Sequence, residues 1–454
     1  MYDLIIIGGG PGGYMAAERA GHAGLNVLLI EKHALGGVCL NEGCIPSKTL
    51  LHSAKIYDYA LHGEAYGVSV EGAKLDHKAV IARKNKVVGT LVRGVTALMK
   101  ASKVTVIKGE AFIVDKNNVK VGDETYSGKR LMIASGSVPV VPPIDGVKEG
   151  LESGSILTSR EILNLEEIPK SLVVVGGGVV GLEMASYFNT AGSKVTVVEM
   201  LPKIGGPVDS DISAILMKNY EKKGIEFKLG TCATGFKQGK GAVHLSCKTG
   251  EQPPCLIEAE KVLLSIGRKP LIEGFGLENT GVLIERGAIK TDKHGLTNIP
   301  NIYAAGDVNG VYMLAHAAYR EAEVAVNHIL GKRDTMRYDA VPSVIYTSPE
   351  TASVGETEET AKAKGIDCAS VALPMAYSGR YLAENSATDG ICKVVINKNA
   401  RNVIGVHMIG SYASEIILSA CILIEMQMKI DDIKEVIFPH PTVSEIIREA
   451  VFRL

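Results

Sequence analysis

The sequence predicts an α/β protein in which two similar strand–helix–strand units precede a segment of mixed α+β texture. Three observations carry this reading. Two glycine fingerprints repeat at a constant offset, each follows a short apolar run of β character, and beyond about residue 338 short strands alternate with helices. At 454 residues the chain exceeds what one ordinary core organises, so roughly two to four domains are expected.

The first fingerprint is Gly8, Gly10 and Gly13, and the second is Gly176, Gly178 and Gly181. Corresponding glycines lie 168 residues apart, and the same spacing relates Gly24 to Gly192 and Glu31 to Glu199. A predicted strand at 4–7 or 172–175 enters each unit. A second strand, 27–30 or 195–198, ends at the acidic residue. In such a unit the first glycine makes the tight turn, the second lets backbone approach a pyrophosphate, and the third lets helix pack on strand. Amides at the helix N-terminus then hold the phosphates. The glutamate, 18 positions after the third glycine in both copies, suits a ribose 2′-hydroxyl. One isolated fingerprint is weak evidence, but two in full strand context imply two dinucleotides. At the second, Glu199 repels a 2′-phosphate and Met200-Leu201-Pro202 offers no arginine to hold one, which favours NAD over NADP. Lys203 is read as a solvated surface residue.

After the first unit comes GGVCLNEGCIPSK at 36–48, which sets Cys39 and Cys44 five positions apart. The other cysteines are Cys232, Cys247, Cys255, Cys368, Cys392 and Cys421. They are expected to be reduced, small hydrophobic residues. Pro46 suits the first turn of a helix over 47–54. Cys44 would then sit near a helix N-terminus, where thiol pKa falls. A zinc site would need about four ligands, and no second close Cys/His pair accompanies the first, so no metal is expected. A structural disulfide would suit an oxidising compartment. A cysteine pair beside a nucleotide-binding unit suggests electron traffic between sulfur and a bound cofactor.

Composition limits the partners. The chain is 46% hydrophobic and 22% charged with net charge −1, and its mean hydropathy is +0.15. Nothing here favours nucleic acid or an anionic membrane. No apolar run approaches the ~20 residues of a membrane span. Met1-Tyr2-Asp3 runs directly into the first strand, so no signal peptide is read and a cytoplasmic location is expected. The 50 glycines exceed the usual ~7% share and gather at the predicted phosphate turns.

The 36–48 string resembles the redox-disulfide segment of the flavin-dependent pyridine nucleotide–disulfide oxidoreductases, most closely the branch acting on protein-bound dihydrolipoyl groups. Further stretches match in order along the whole chain. Ala134-Ser135-Gly136-Ser137-Val138-Pro139 resembles the A-T-G-S-x-P turn, with Ser135 in place of threonine. Ser265-Ile266-Gly267-Arg268 resembles the turn closing the NAD domain, and Ile302 to Asp307 the strand returning to the flavin. Met313-Leu314-Ala315-His316 resembles the opening of the next helix, and His440-Pro441-Thr442-Val443-Ser444-Glu445 the C-terminal catalytic segment.

The resemblance implies two Rossmann-like domains, one for FAD and one for NAD, and a C-terminal α+β dimerisation domain. The implied boundaries are 1–142 for the first part of the FAD domain, 143–270 for the NAD domain, 271–337 for the return to the FAD domain and 338–454 for the dimer interface. Pro139, Pro142 and Pro143 would stiffen the first linker, and Lys269-Pro270 would mark the return.

The resemblance also assigns roles. Cys39 would meet substrate and Cys44 the flavin. Lys48 would stabilise negative charge on the reduced flavin, with Glu183 as its partner. His440 would be the base, oriented by Glu445 and reaching the disulfide from the other subunit of a homodimer. FAD would be held by Gly8, Gly10, Gly13, Glu31, Lys48, Ala111, Ser135, Gly136, Asp307 and Ala315. NAD would be held by Gly176, Gly178, Gly181, Glu199, Gly267 and Arg268. The implied partner is a lipoylated carrier of a 2-oxo-acid dehydrogenase or glycine cleavage complex. Readings against which this is set are a glutathione-type disulfide reductase and a non-catalytic flavin-binding assembly subunit. Imidazole suits the base role, because its unperturbed pKa of about 6.5 lies near neutrality.

Overall fold

The structure, a computed structural model, describes residues 1–386 and 389–454. The chain forms two compact units. The first comprises Met1–Thr49, Ala79–Val140 and Gly267–Arg337, and the second Leu50–Lys78, Val141–Ile266 and Tyr338–Leu454.

The centre of the first unit is a parallel sheet in the order Ile302–Ala304, Leu131–Ile133, Leu4–Ile7, Val27–Glu31 and Thr105–Lys108. Its central strands are apolar at successive positions because both faces are covered. Leu4 and Ile6 join a core with Tyr14, Ala16 and Ala20 of helix Pro11–His22, and with Ala322 and Ala325 of helix Ala315–Ile329. Ile5 and Ile7 face the opposite core, which includes Ile113, Val119 and Phe275. This alternation is the period of two that a strand imposes. Two smaller sheets flank the large one. Ala111–Ile113, Asn118–Val121 and Glu124–Ser127 form an antiparallel meander, and Ser137–Pro139 pairs antiparallel with Arg268–Pro270.

The second unit repeats the parallel arrangement. Its strand order is Glu226–Lys228, Lys194–Val198, Ser171–Val175, Lys261–Leu264 and Ile156–Leu157. An antiparallel sheet of Thr231–Gln238, Val243–Thr249 and Cys255–Ala259 packs against one face, burying Val243, Leu245 and Ala259 with Val173, Val175 and Val262. The two duplicated helices, Pro11–His22 and Val179–Thr190, occupy equivalent positions 168 residues apart.

The C-terminal part is a five-stranded antiparallel sheet in the order Ser343–Ile345, Thr351–Gly355, Asn402–Ile409, Ile391–Asn397 and Cys368–Pro374. Helices Ala413–Glu425, Ile430–Lys434 and Glu445–Val451 complete its core. The alternation of short strands and helices expected beyond about residue 338 is present.

Two polar devices are built into the second unit. The Lys393 ammonium is 6% exposed and lies 3.0–3.1 Å from Asp209, Asp211 and Glu358. Asp209 also caps helix Ser210–Lys222, accepting the Asp211 N–H at 3.0 Å. His77 bonds through Nδ1 to the Tyr187 hydroxyl at 2.7 Å and through Nε2 to the Leu165 carbonyl at 2.9 Å. These bonds help place Leu50–Lys78 in this unit, a placement the linear order of the sequence does not suggest.

Candidate active site

In the first unit the fingerprint turn follows strand Leu4–Ile7 at the point where the strand order reverses, the usual ligand crevice of such sheets. Gly8 has φ +101°, and a Cβ there would stand 2.2 Å from the Ala134 carbonyl oxygen. A Cβ on Gly13 would stand 1.8 Å from the Gly8 carbonyl oxygen. Only hydrogen fits at either position. Gly10 differs, since its Cβ would meet nothing nearer than 3.7 Å. A Cβ there would have room, in ordinary contact with the Gly37 Cα, at the mouth of helix Pro11–His22, whose N-terminus carries no side-chain cap. The first-turn amides are thus available to an anion.

The second unit repeats this closely. A Cβ on Gly176 would lie 2.5 Å from the Ser265 carbonyl oxygen and one on Gly181 2.2 Å from that of Gly176, whereas one on Gly178 would meet nothing within 4 Å. The Ser265 hydroxyl donates to the carbonyls of Val175 and Gly176 at 3.0 and 2.9 Å. Both cradles therefore pair two filled glycine positions with one open one, which fits a pyrophosphate in each.

The two acidic residues also act alike. Glu31 accepts the N–H of Gly9 and of His33, each at 2.7 Å. Glu199 accepts the N–H of Gly177 at 2.6 Å and of Leu201 at 2.7 Å. Each carboxylate therefore holds its own fingerprint loop while lone pairs remain for a ribose, since an ionised carboxylate offers about four acceptor sites.

The cysteine segment is pressed onto the first fingerprint. Gly36 donates its N–H to the Gly9 carbonyl at 2.8 Å. Gly37 has φ +55°, and a Cβ on it would stand 2.6 Å from the Gly10 Cα. Cys39 lies on the short helix Gly37–Asn41, and Cys44 opens helix Cys44–Leu61, which starts earlier and runs longer than the 47–54 expected. Both thiols are partly exposed and unbridged. The Cys44 thiol, hydrogen-bonded to Cys39, pushes the Cys39 thiol strongly up. Burial adds to this, the Lys48 ammonium opposes it, and Asp307 adds to it. Cys39, Cys44, Lys48 and Asp307 thus share one electrostatic neighbourhood.

Asp307 is held by a relay. The Ser137 hydroxyl donates to it at 2.5 Å, and Arg268 donates from Nε to the Ser137 hydroxyl and from a terminal nitrogen to the Ser137 carbonyl, both at 2.7 Å. The Arg268 guanidinium, expected beside NAD, is thus engaged with Ser137 in the first unit. Gly267 has φ +117° with open space where a Cβ would be. Ser135 donates to the Leu271 carbonyl at 2.7 Å, beside Gly136 with φ +76°. Ala111 opens its strand two residues after Gly109, whose N–H reaches the Glu31 carbonyl at 3.0 Å. Ala315 is the first residue of its helix, again with no side-chain cap.

Sequence reasoning missed one pair here. The Tyr14 and Tyr319 hydroxyls are 2.5 Å apart. Burial pushes both phenols up, and both feel the charge of Cys39 and Cys44. Tyr14 directly follows the third glycine, which is the only local clue.

In the second unit Glu183 is 3% exposed and accepts the Tyr346 N–H at 3.1 Å. His440 is well exposed, and its Nδ1 lies 2.8 Å from Glu445 Oε1. Glu445 Oε2 accepts the Thr442 N–H at 2.8 Å. The Thr442 amide, ahead of the His440 bond, holds the Glu445 carboxyl below its ordinary range despite some burial. The His440–Pro441 peptide is cis. With Nδ1 engaged, Nε2 is the nitrogen left for a substrate proton.

Comparison with known proteins agrees with this geometry. Residues 2–322 match the profile of the pyridine nucleotide-disulphide oxidoreductases, and residues 341–451 match the dimerisation domain of the same family. The dihydrolipoyl dehydrogenase of Geobacillus stearothermophilus is 40% identical over 453 residues, covering 99% of this chain and 95% of that protein. The mitochondrial dihydrolipoyl dehydrogenase of Pisum sativum is also 40% identical, covering 99% and 90%. The crystal structure of LpdA from Mycobacterium tuberculosis superposes with TM-score 0.90 at 25% identity, covering 100% of this chain and 99% of that one. The HOCl-induced flavoprotein disulfide reductase RclA of Escherichia coli, as its Cu(II) complex, superposes with TM-score 0.88 at 27% identity and the same coverage. Among the described residues no helix is long and apolar enough to cross a membrane. Paired cradles, a cysteine pair seated on one of them and agreement along nearly the whole length lead to one assignment: the chain belongs to the pyridine nucleotide-disulphide oxidoreductase family.

Proposed function

We propose that this enzyme is a dihydrolipoyl dehydrogenase, oxidising protein-bound dihydrolipoyl groups to the cyclic disulfide and delivering hydride to NAD. The observation that carries this is the seating of the Cys39–Cys44 segment on Gly10, which makes sulfur and phosphate loops one construction. On this reading the first cradle takes FAD, with Gly8, Gly10, Gly13, Glu31, Ala111, Ser135, Gly136, Asp307 and Ala315 around it. The second takes NAD, with Gly176, Gly178, Gly181, Glu199 and Gly267. Arg268 adjoins Gly267 and ties that turn to Ser137 and Asp307. FAD, when bound, supplies acceptance of two electrons from the reduced cysteine pair and hydride delivery to NAD.

The chain's own residues do the thiol chemistry. His440 Nε2 accepts a proton from a dihydrolipoyl thiol while Glu445 supports the resulting imidazolium. The thiolate attacks Cys39 in the bridged pair, a mixed disulfide forms, and Cys44 leaves as a thiolate. The second lipoyl thiol attacks the first lipoyl sulfur, the ring closes, and the S–Cys39 bond breaks; Cys39 leaves with the proton His440 returns, and His440 takes up the proton of the second thiol. Lys48 stabilises negative charge on the flavin side. The match of 341–451 to the dimerisation domain supports a homodimer in which each His440 serves the other subunit. A lipoylated carrier protein and a cytoplasmic location complete the reading.

The test is anaerobic mixing of the flavin-loaded enzyme with dihydrolipoamide and NAD. NADH formation is expected. Its absence, with glutathione disulfide reduced by NADPH instead, would overturn the reading.

A further inference from the structure

Outside the catalytic segment, the structure brings together a second pair of cysteines. Cys247 and Cys255 stand directly opposite one another on neighbouring antiparallel strands of the Thr231–Gln238, Val243–Thr249, Cys255–Ala259 sheet. Opposed residues of an antiparallel pair have Cα atoms about 4.5–5.5 Å apart, inside the 4.4–6.8 Å range that a disulfide accepts. The two sulfurs are 2.7 Å apart, only about 0.7 Å beyond a covalent S–S bond. Cys247 extends the inward-facing row of Val243 and Leu245 and is fully buried, while Cys255 is partly exposed.

We propose that Cys247 and Cys255 form a second, reversible thiol–disulfide couple, oxidised by small hydroperoxides and separate from the Cys39–Cys44 pair. Exposure sets the order of events. The Cys255 thiolate attacks one peroxide oxygen, the O–O bond breaks, and Cys255 becomes a sulfenic acid as the other oxygen leaves as water or an alcohol. The Cys247 sulfur then attacks the Cys255 sulfur, an S–S bond forms, and the S–O bond breaks with loss of water. Two thiols lose two electrons and one hydroperoxide gains them. The opposite order is disfavoured, because burial, reinforced by the Cys255 thiol, pushes the Cys247 thiol up to about 12. The bridge would close the loop at 248–254 and fix the register of its two strands without moving their backbones.

Lys248 lies between the cysteines, so trypsin separates them into peptides 241–248 and 249–261, while Cys39 and Cys44 share peptide 33–48. The holoenzyme is treated with hydrogen peroxide, unfolded in the presence of an alkylating agent so that every free thiol is reached, and digested. The expected result is peptides 241–248 and 249–261 joined, both cysteines lost to alkylation, and separation on treatment with a dithiol. Joined peptides in the untreated enzyme would support the couple equally. Full alkylation of both peptides while 33–48 is oxidised would overturn it, as would a Cys255 sulfinic acid beside an alkylated Cys247. In Cys255→Ser the Cys247 peptide is expected to remain alkylatable after peroxide. If that variant does not fold, the mapping of the unmodified protein decides alone.

Discussion

Replacing Glu445 by glutamine tests the acid–base assignment most sharply. The carboxylate receives two donors, one oxygen taking the His440 Nδ1 proton and the other the Thr442 N–H, both at 2.8 Å. A glutamine side chain has one carbonyl oxygen and one amino group, so it can satisfy one donor while its NH2 faces the other. One charge-assisted hydrogen bond is lost, worth about 1.5–3 kcal/mol. If that support is needed while His440 carries the substrate proton, dihydrolipoamide oxidation slows by about 10- to 150-fold. Glu445→Gln is assayed for NAD-dependent dihydrolipoamide oxidation and for NADH oxidation by an artificial quinone acceptor. The first should fall by that factor, and the second, which needs no thiol deprotonation, should hold. A variant within about twofold in the first assay, or equally slowed in both, would refute the reasoning.

Four further outcomes follow from the structure. Gly181→Ala places a methyl 2.2 Å from the Gly176 carbonyl oxygen and should cost about 1–3 kcal/mol of stability, read as a lowered unfolding temperature. Gly178→Ala, with nothing within 4 Å, should fold normally but raise KM for NAD about tenfold, a loss of ~1.4 kcal/mol. Glu199→Ala combined with Met200→Arg should shift the NAD-to-NADP preference by at least about tenfold and lower thermal stability, since the amides of Gly177 and Leu201 lose their acceptor; unchanged kcat/KM ratios would count against Glu199 as the selector. The Asp334 carboxyl is pulled down to about 2, chiefly by hydrogen bonding to Arg320 against mild desolvation. A depressed pKa means its contribution is present above the unfolded value of ~3.9 and fades as pH falls toward about 2. Because its main partner Arg320 is exposed, solvent screening reduces it to under about 1 kcal/mol. Asp334→Asn should therefore unfold about 1–3 °C lower at neutral pH, with the gap closing in acid, as thermal scans across pH would register.

Local features were legible because they are written in consecutive residues. The 168-residue offset anticipated two equivalent strand–helix–strand units, each closing on a glutamate, since a tight turn and a 3.6-residue helix leave few other solutions; that each glutamate also holds its own loop through two amides was not legible. The start of helix Cys44–Leu61 was misplaced by three residues, because Cys44 and Ile45 give no capping signal. What the sequence could not convey depends on distant segments meeting. Arg268 reaches Ser137 because strand Arg268–Pro270 pairs with Ser137–Pro139, and Leu50–Lys78 joins the second unit partly through His77 and Tyr187. Cys247 and Cys255 become neighbours only when a hairpin sets their register.

The Lys393 cluster limits the substitutions this enzyme can accumulate. One ammonium sits among three carboxylates, so replacing Lys393 alone leaves three like charges around a buried position. Replacing Asp209 alone also removes the cap of its helix. Each single step is worse than the starting arrangement, while an apolar set introduced together could be tolerated. Drift through single changes is therefore blocked at positions 209 and 393 even though neither touches the chemistry, and the cluster acts as a ratchet against gradual sequence change.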